Sequence, residues 1–309
     1  MPAVGIDTAK NKIDVAYRGS VRTIARNESS VMQVLDALPR PCQIVIEPTS
    51  RYHRMVVEVA RGCGHEVRLV ETCKFSKYKD SLDLRCSNDK KVALALERYA
   101  EKEWDAIPAR VPAPKAMEQL RDLISLRESQ LRLKIAFESA QSEFGKAPAK
   151  SNLALKAMEA SIADLDKKIT RIASKNPLYK VLLNMDGVGP VSAPVLVWLF
   201  EAHDFKDVDE LIAFVGLDVR IRESGKFKGH RKLSKRGWPV IRKYGYCMAN
   251  AMRSIDDLKP LFEKYDKRGM RAKATNMIVF RKLLRAAFAI AKHGEQYDRA
   301  TFLKPRKTS

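Results

Sequence analysis

The sequence predicts an α/β domain followed by a mainly helical half. Three observations carry this reading. Short apolar segments end on carboxylates near the N-terminus, prolines cluster from about residue 107, and long stretches of helical apolar spacing follow. The α/β part occupies residues 1–106, with strands at 2–7, 12–18, 43–47 and 66–70 and helices at about 29–38, 51–63 and 88–103. Val4-Gly5-Ile6 delivers Asp7 at the end of one strand, and Ile13-Asp14-Val15-Ala16 follows as the second strand of a hairpin. Gln43-Ile44-Val45-Ile46 repeats the device, with Glu47 standing where Pro48 ends the strand. Ser29 or Ser30 is placed to cap the first helix.

Residues 107–114 read as a linker, because Pro108, Pro112 and Pro114 exclude regular structure. Residues 115–175 read as a helical hairpin broken at Gly145-Lys146-Ala147-Pro148. Its second arm spaces Leu155, Met158, Ile162, Leu165, Ile169 and Ile172 three and four apart, a coiled-coil seam. An isolated hairpin buries little area, so the seam points to a homo-oligomer, dimer or tetramer, with packing on its own chain as the alternative. Residues 176–309 form a separate, mainly helical domain. There Leu182 to Ala193 reads as helix, glycine turn, helix, and Gly187 and Gly189 are placed to present backbone N–H groups to a nucleic-acid phosphate.

Charge narrows the partners. The 309 residues carry a net charge of +21 and an isoelectric point near 9.8, a surplus that fits a polyanion. The 37 acidic residues argue against a simple cationic tail. No apolar run is long enough for a membrane span, and the N-terminus lacks the regions of a signal peptide. Five cysteines without a CxxC spacing read as reduced thiols in a cytoplasmic protein. Aromatics make up only 7% of the chain, which disfavours base stacking as the main contact.

Two constellations carry chemistry. Asp7 and Glu47, each ending a buried strand, suit a hard divalent cation of the kind found in metal-dependent nucleases; ordinary strand-terminal acids are the alternative. Val219 to Lys243 holds ten cations, Arg220, Arg222, Lys226, Lys228, Arg231, Lys232, Lys235, Arg236, Arg242 and Lys243, against one acid, Glu223. Glycines interrupt the run as a loop that hugs a phosphate backbone requires. Within it, Ser224 of Glu223-Ser224-Gly225-Lys226 is flanked by the cations a serine nucleophile on phosphate needs. A hydroxyl that only hydrogen-bonds a phosphate is the plainer alternative. Ser234 reads as the cap of a helix starting near Trp238.

In this order and spacing the motifs resemble the DEDD transposases of insertion sequences, the group with pilin-gene invertases and bridge-RNA-guided recombinases. The matching segments are Gly5-Ile6-Asp7, Glu47-Pro48-Thr49, Ser87-Asn88-Asp89-Lys90-Lys91-Val92-Ala93, Gly187-Val188-Gly189-Pro190, Phe214-Val215-Gly216-Leu217, Glu223-Ser224-Gly225-Lys226 and Leu233-Ser234-Lys235-Arg236-Gly237. The resemblance implies a RuvC-like N-terminal domain, a coiled-coil arm and a C-terminal transposase domain. It implies Asp7, Glu47 and Asp89 as ligands of Mg²⁺ (or Mn²⁺) and Ser224 as the nucleophile that forms a transient phosphoserine link to DNA. It also implies a structured guide RNA as partner, with DNA cleaved and rejoined in the bacterial nucleoid. The fourth carboxylate belongs three residues after Asp89, where this chain has Val92, which cannot ligate a cation. Two alternatives follow: a nucleic-acid-binding relative impaired in catalysis, or a metal nuclease of the Holliday-junction type with no serine link.

Overall fold

The computed structural model describes residues 1–48, 51–82, 88–109, 112–144, 149–220, 223–224, 227–228 and 232–304, with backbone alone at 223–224 and 227–228. The chain forms two compact units, Met1–Val111 and Pro112–Ser309.

The first unit is a five-stranded mixed sheet with helices on both faces. Its strands are β1 (Ala3–Thr8), β2 (Lys12–Tyr17), β3 (Ser20–Ala25), β4 (Gln43–Ile46) and β5 (Glu66–Leu69). They lie in the order β3-β2-β1-β4-β5. The β1–β2–β3 meander is antiparallel, while β4 pairs parallel to β1 and β5 parallel to β4. Side chains alternate across the sheet. Val4, Ile6, Ile44 and Ile46 therefore pack with Val31 and Leu35 of α1 (Glu28–Asp36) and Val56 and Ala60 of α2 (His53–Gly62). On the other face Ala3 and Val45 pack with Phe75 of α3 (Thr72–Ser81) and Leu96 and Ala100 of α4 (Asp89–Glu103).

Two elements here lie outside the sequence expectations. β3 is an edge strand whose residues are mostly exposed, so no apolar alternation announces it. Of α3 only Phe75 is buried. The cap of α1 is Asn27, whose side chain accepts from the Ser30 N–H, and neither Ser29 nor Ser30 serves. α4 starts as expected, with Asn88 accepting from the Lys91 N–H at 2.9 Å.

The second unit is helical. α5 (Lys115–Phe144) and α6 (Ala149–Ala173) form the expected hairpin. Arg127 meets Asp166, Gln130 meets Ser161 and Lys134 meets Glu159, a descending register that makes the two arms antiparallel. Ile162, Leu165 and Ile169 of the seam are buried within the chain, Leu165 and Ile169 in one core with Leu120 and Ile124 of α5. That core continues through α7 (Pro177–Leu183), α8 (Ala193–Glu201), α9 (Val208–Val215), α10 (Pro239–Met252), α11 (Lys259–Asp266), α12 (Ala272–His293) and α13 (Arg299–Leu303). Between α9 and α10 run four two-residue strands, β6 (Val219–Arg220), β7 (Glu223–Ser224), β8 (Phe227–Lys228) and β9 (Lys232–Leu233). The hairpin's break at 145–148 lies outside the described residues.

Candidate functional site

In the first unit, α4 is seated low across β1. Asp89, the first residue of α4, thereby comes over the end of β1, where Asp7 follows Gly5 by two residues on the same face. Glu47 follows β4 directly and is mostly buried, its side chain 12% exposed. The three sequence-predicted acids thus gather at one end of the sheet, and their proximity is visible in protonation. Burial first, then the charges of Asp89 and Glu47, push the Asp7 carboxyl up to about 6, with Asp14 adding to the rise. Val92 does not join them; it packs against the apolar group around Phe75.

Three further residues belong to this face. Asp14 is the cross-strand partner of Asp7. It is almost fully buried, only 2% exposed, and it accepts from the Thr23 hydroxyl. Lys12 Nζ lies 2.8 Å from Asp89 Oδ2 and 3.8 Å from Asp14 Oδ2. Lys79 of α3 places Nζ 3.6 Å from Glu47 Oε2. Hairpin register was the signal for Asp14. With a turn at Ala9–Asn11, closed by the Ala9 N–H on the Lys12 carbonyl at 3.0 Å, residue 14 must fall opposite residue 7.

The donor set is chemically suited to a hard cation such as Mg²⁺, since every member is a carboxylate. The arrangement is not: among the described residues no three Asp, Glu, His or Cys side chains are grouped so as to hold a metal ion.

In the second unit, two predicted motifs meet. Gly216 ends α9 with φ +75°, a left-handed conformation, and a Cβ there would stand 2.4 Å from the backbone N and O of Arg236. The Lys235 N–H donates to the Gly216 carbonyl at 3.1 Å, and the Ser234 N–H to the Asp218 carbonyl at 2.9 Å. Arg242 Nη1 donates to the carbonyls of Val215, at 2.8 Å, and Arg236. Phe214-Val215-Gly216-Leu217 and Leu233-Ser234-Lys235-Arg236-Gly237 are thus clamped into a neck, extended by the pairing of Arg220 with Lys232.

Beyond the neck, Ser224 pairs in register with Phe227, and Glu223 with Lys228. The backbone of Ser224 therefore sits at the last paired position of this ladder. Arg220, Lys232, Lys235 and Arg236 are exposed around the neck. Arg222, Lys226 and Arg231 lie outside the described residues. Ser234 does not cap α10. Its hydroxyl donates to Asp218, and the residue at the cap, Trp238, makes no side-chain bond.

The glycine turn between α7 and α8 is also present. Gly187 adopts φ +76° and lies against the Met248 carbonyl, 2.4 Å from where its Cβ would be. The Gly189 N–H donates to Ser192 Oγ at 2.9 Å, so the chain itself satisfies that donor. Asp186 in the same turn is held by Arg299 and Tyr297, and the Arg299 guanidinium keeps its carboxyl below the usual carboxylate range.

A strongly basic helical unit with a clamped, serine-bearing hairpin defines a protein that handles nucleic-acid phosphates, and residues 179–266, from α7 through α11, match a transposase family model. The model is that of the IS116/IS110/IS902 transposases, and residues 179–266 form a domain of that family. Membership implies DNA binding and DNA transposition by phosphoryl transfer. No curated protein matches the chain. No described helix is long and apolar enough to cross a membrane.

Proposed function

We propose that the protein is a transposase that breaks and rejoins DNA through Ser224, with a RuvC-like first unit and with target choice supplied by a structured guide RNA. The observation that carries this reading is the neck. Two distant motifs of the matched domain are clamped together by Arg242, and between them lies a short antiparallel pairing that carries Ser224, in a run of cations. A nucleophile on a rigidly based, positively charged hairpin has what attack on a phosphodiester requires.

In the step itself, Ser224 Oγ forms a bond to phosphorus and the bond to the leaving strand's oxygen breaks. The proton lost from Ser224 ends on that oxygen. A hydroxyl of another strand then attacks the phosphoserine, the phosphorus–Ser224 bond breaks, and the proton of that hydroxyl passes to Ser224 Oγ, so rejoining needs no nucleotide hydrolysis. Exposed Arg220, Lys232, Lys235 and Arg236 neutralise phosphates as the strand approaches. The sheet order β3-β2-β1-β4-β5, with acids at the ends of β1 and β4 and at the start of α4, supports a RuvC-like first unit. Asp7, Glu47 and Asp89 would hold a divalent cation there, and such an ion would supply electrostatic stabilisation of charge on a phosphate.

The test is to purify the protein with its co-purifying RNA, incubate it with end-labelled DNA from the flanks of its gene, and run the mixture under denaturing conditions. Label should travel with the wild-type protein and not with Ser224→Ala. Cleavage that persists in Ser224→Ala would overturn the serine route and favour hydrolysis. Sequencing the bound RNA after a high-salt wash tests the guide, since a single structured species is expected.

A further inference from the structure

The positive charge of the chain lies mostly in its second unit. From Pro112 to Ser309 there are 39 Lys and Arg against 22 Asp and Glu, which is +17 of the total +21. The segment between α9 and α10 holds one run of cations. A second run lies between Glu263 and Glu295, with nine Lys and Arg and one acid, Asp266. Asp266 is already engaged: it accepts from Arg253 Nη1 at 3.2 Å and from the Thr275 hydroxyl at 3.3 Å. Lys264, Arg268, Arg271 and Lys273 are exposed, and among the described residues none of the four has a carboxylate in ion-pair reach. Lys264 stands close enough to Lys282 of α12 to join burial in lowering its ammonium. Arg271 precedes α12 and Lys273 lies in its first turn, where cations are unfavourable. Like charges are thus crowded at this turn, a cost that a bound polyanion relieves.

The fold relates this turn to the neck. α10 and α12 pack antiparallel, with Gly245 against the Phe280 ring, and with Asn250 and Arg253 on Asn276. Arg242 holds the neck from the first turn of α10, and Arg253, just past the last residue of α10, holds Asn276 and Asp266. α10 has 14 residues, about 21 Å of helix. Two cation-rich surfaces therefore stand at the two ends of one helix, roughly six base pairs apart on the scale of B-DNA. We propose that the turn between α11 and α12, through Lys264, Arg268, Arg271 and Lys273, is a second phosphate-binding surface that holds duplex DNA flanking the strand at Ser224. The proposal rests on the reading of the second unit as DNA-binding and not on the serine route. Arg268, Arg271 and Lys273 lie beyond residues 179–266, outside the matched domain. The occupant is a duplex and not a splayed strand, because the exposed residues between these cations, Asp266, Lys267, Gly269 and Ala272, offer no aromatic face to a base.

The experiment is fluorescence anisotropy of the full chain with a labelled DNA duplex from the flanks of its gene, repeated across a salt series. It compares wild type with three variants, each first shown by thermal melting to be folded. One combines Arg268→Ala, Arg271→Ala and Lys273→Ala. The second combines Arg268→Lys and Arg271→Lys. The third combines Lys156→Ala, Lys167→Ala and Lys168→Ala, exposed on α6, and removes the same charge elsewhere. The alanine variant of the turn should bind roughly tenfold or more weakly, and its slope of log affinity against log salt should shrink by about two to three. The lysine variant and the α6 variant should keep the wild-type slope. An unchanged slope in the turn variant overturns the proposal. Equal losses in the two alanine variants mean that net charge and not this surface sets binding, and overturn it as well. A loss seen on an RNA duplex of the same sequence, with DNA binding kept, assigns the surface to RNA and has the same effect. Wild type that does not bind the DNA duplex sinks the DNA-binding reading and the proposal with it. None of these readouts needs strand cleavage, so failure of the serine route leaves the result standing.

Discussion

Gly5 of β1 lies directly beneath Ala93 of α4: a methyl group on Gly5 would stand 2.1 Å from the Ala93 carbonyl oxygen and 2.2 Å from the backbone nitrogen of Glu97. Both neighbours are backbone, so no rotamer change relieves the overlap. This contact sets how low α4 rides on the sheet, and Asp89, one turn before Ala93, is positioned by it.

Gly5→Ala should therefore cost about 3 kcal/mol of stability or more, since α4 must lift off the sheet. The urea midpoint measures this. A change within roughly 0.5 kcal/mol, as for an ordinary surface substitution, would show that the contact does not set the height of α4.

Asp7 predicts a pH-dependent stability. Its carboxyl titrates near 3.8 when free and near 6 in the fold, so the folded chain binds the proton more tightly. The stability this gives is fully present below pH 3.8 and is lost as pH rises through 6. Asp7→Asn cannot ionise. In chelator, it should melt at a higher temperature than wild type at pH 8, with the advantage gone near pH 4. A variant less stable than wild type at pH 8 would contradict the crowding of Asp7 by burial and by Asp89 and Glu47.

How much was legible in the sequence varies with the physics of each element. β1 and β4 are buried at all but one position each and read as apolar runs, whereas β3 and α3 keep most side chains in water and leave no period to count. Asp7, Glu47 and Asp89 were found by strand ends and motif. Lys12, Asp14 and Lys79 were not, because their part depends on hairpin register and on α3 packing beside β4. The seam of α6 was legible as a seam, but its spacing is the same whether a second copy or α5 covers it. In this fold α5 packs against it.

The turn between α7 and α8 depends on its tie to α13. Arg299 donates to Asp186 through both Nε and Nη2 at 2.7 Å, and to Asp257 at 2.6 Å. Arg299→Met leaves Asp186, only 10% exposed, with Tyr297 as its remaining partner among these bonds, and should cost roughly 2 kcal/mol at pH 7. The Asp186 carboxyl is lowered in the fold, so its stabilising share is present above pH 3.8 and fades as pH falls through the folded value. The gap between variant and wild type should narrow in acid. A gap independent of pH would mean that packing of the arginine stem, and not the ion pair, holds the turn.

The last prediction joins the helical hairpin to the serine-bearing neck. Glu128 of α5 is 5% exposed, and it accepts from the Tyr244 hydroxyl at 2.7 Å and from Lys243. Tyr244 in turn accepts from Arg127 at 2.8 Å, and burial and Glu128 push its phenol well above the usual range. Tyr244→Phe removes one partner from a buried carboxylate that keeps Lys243 and, at 3.4 Å, Arg127, so the cost should be about 1–3 kcal/mol. Tyr244 and Lys243 follow Arg242 on α10, the residue that clamps Val215 and Arg236. Loosening this turn of α10 should therefore reach the neck, and amide exchange should quicken at Ser234 and Lys235, whose N–H groups close it. If stability falls while those two amides exchange at the wild-type rate, the network holds the hairpin alone and the neck stands on Arg242.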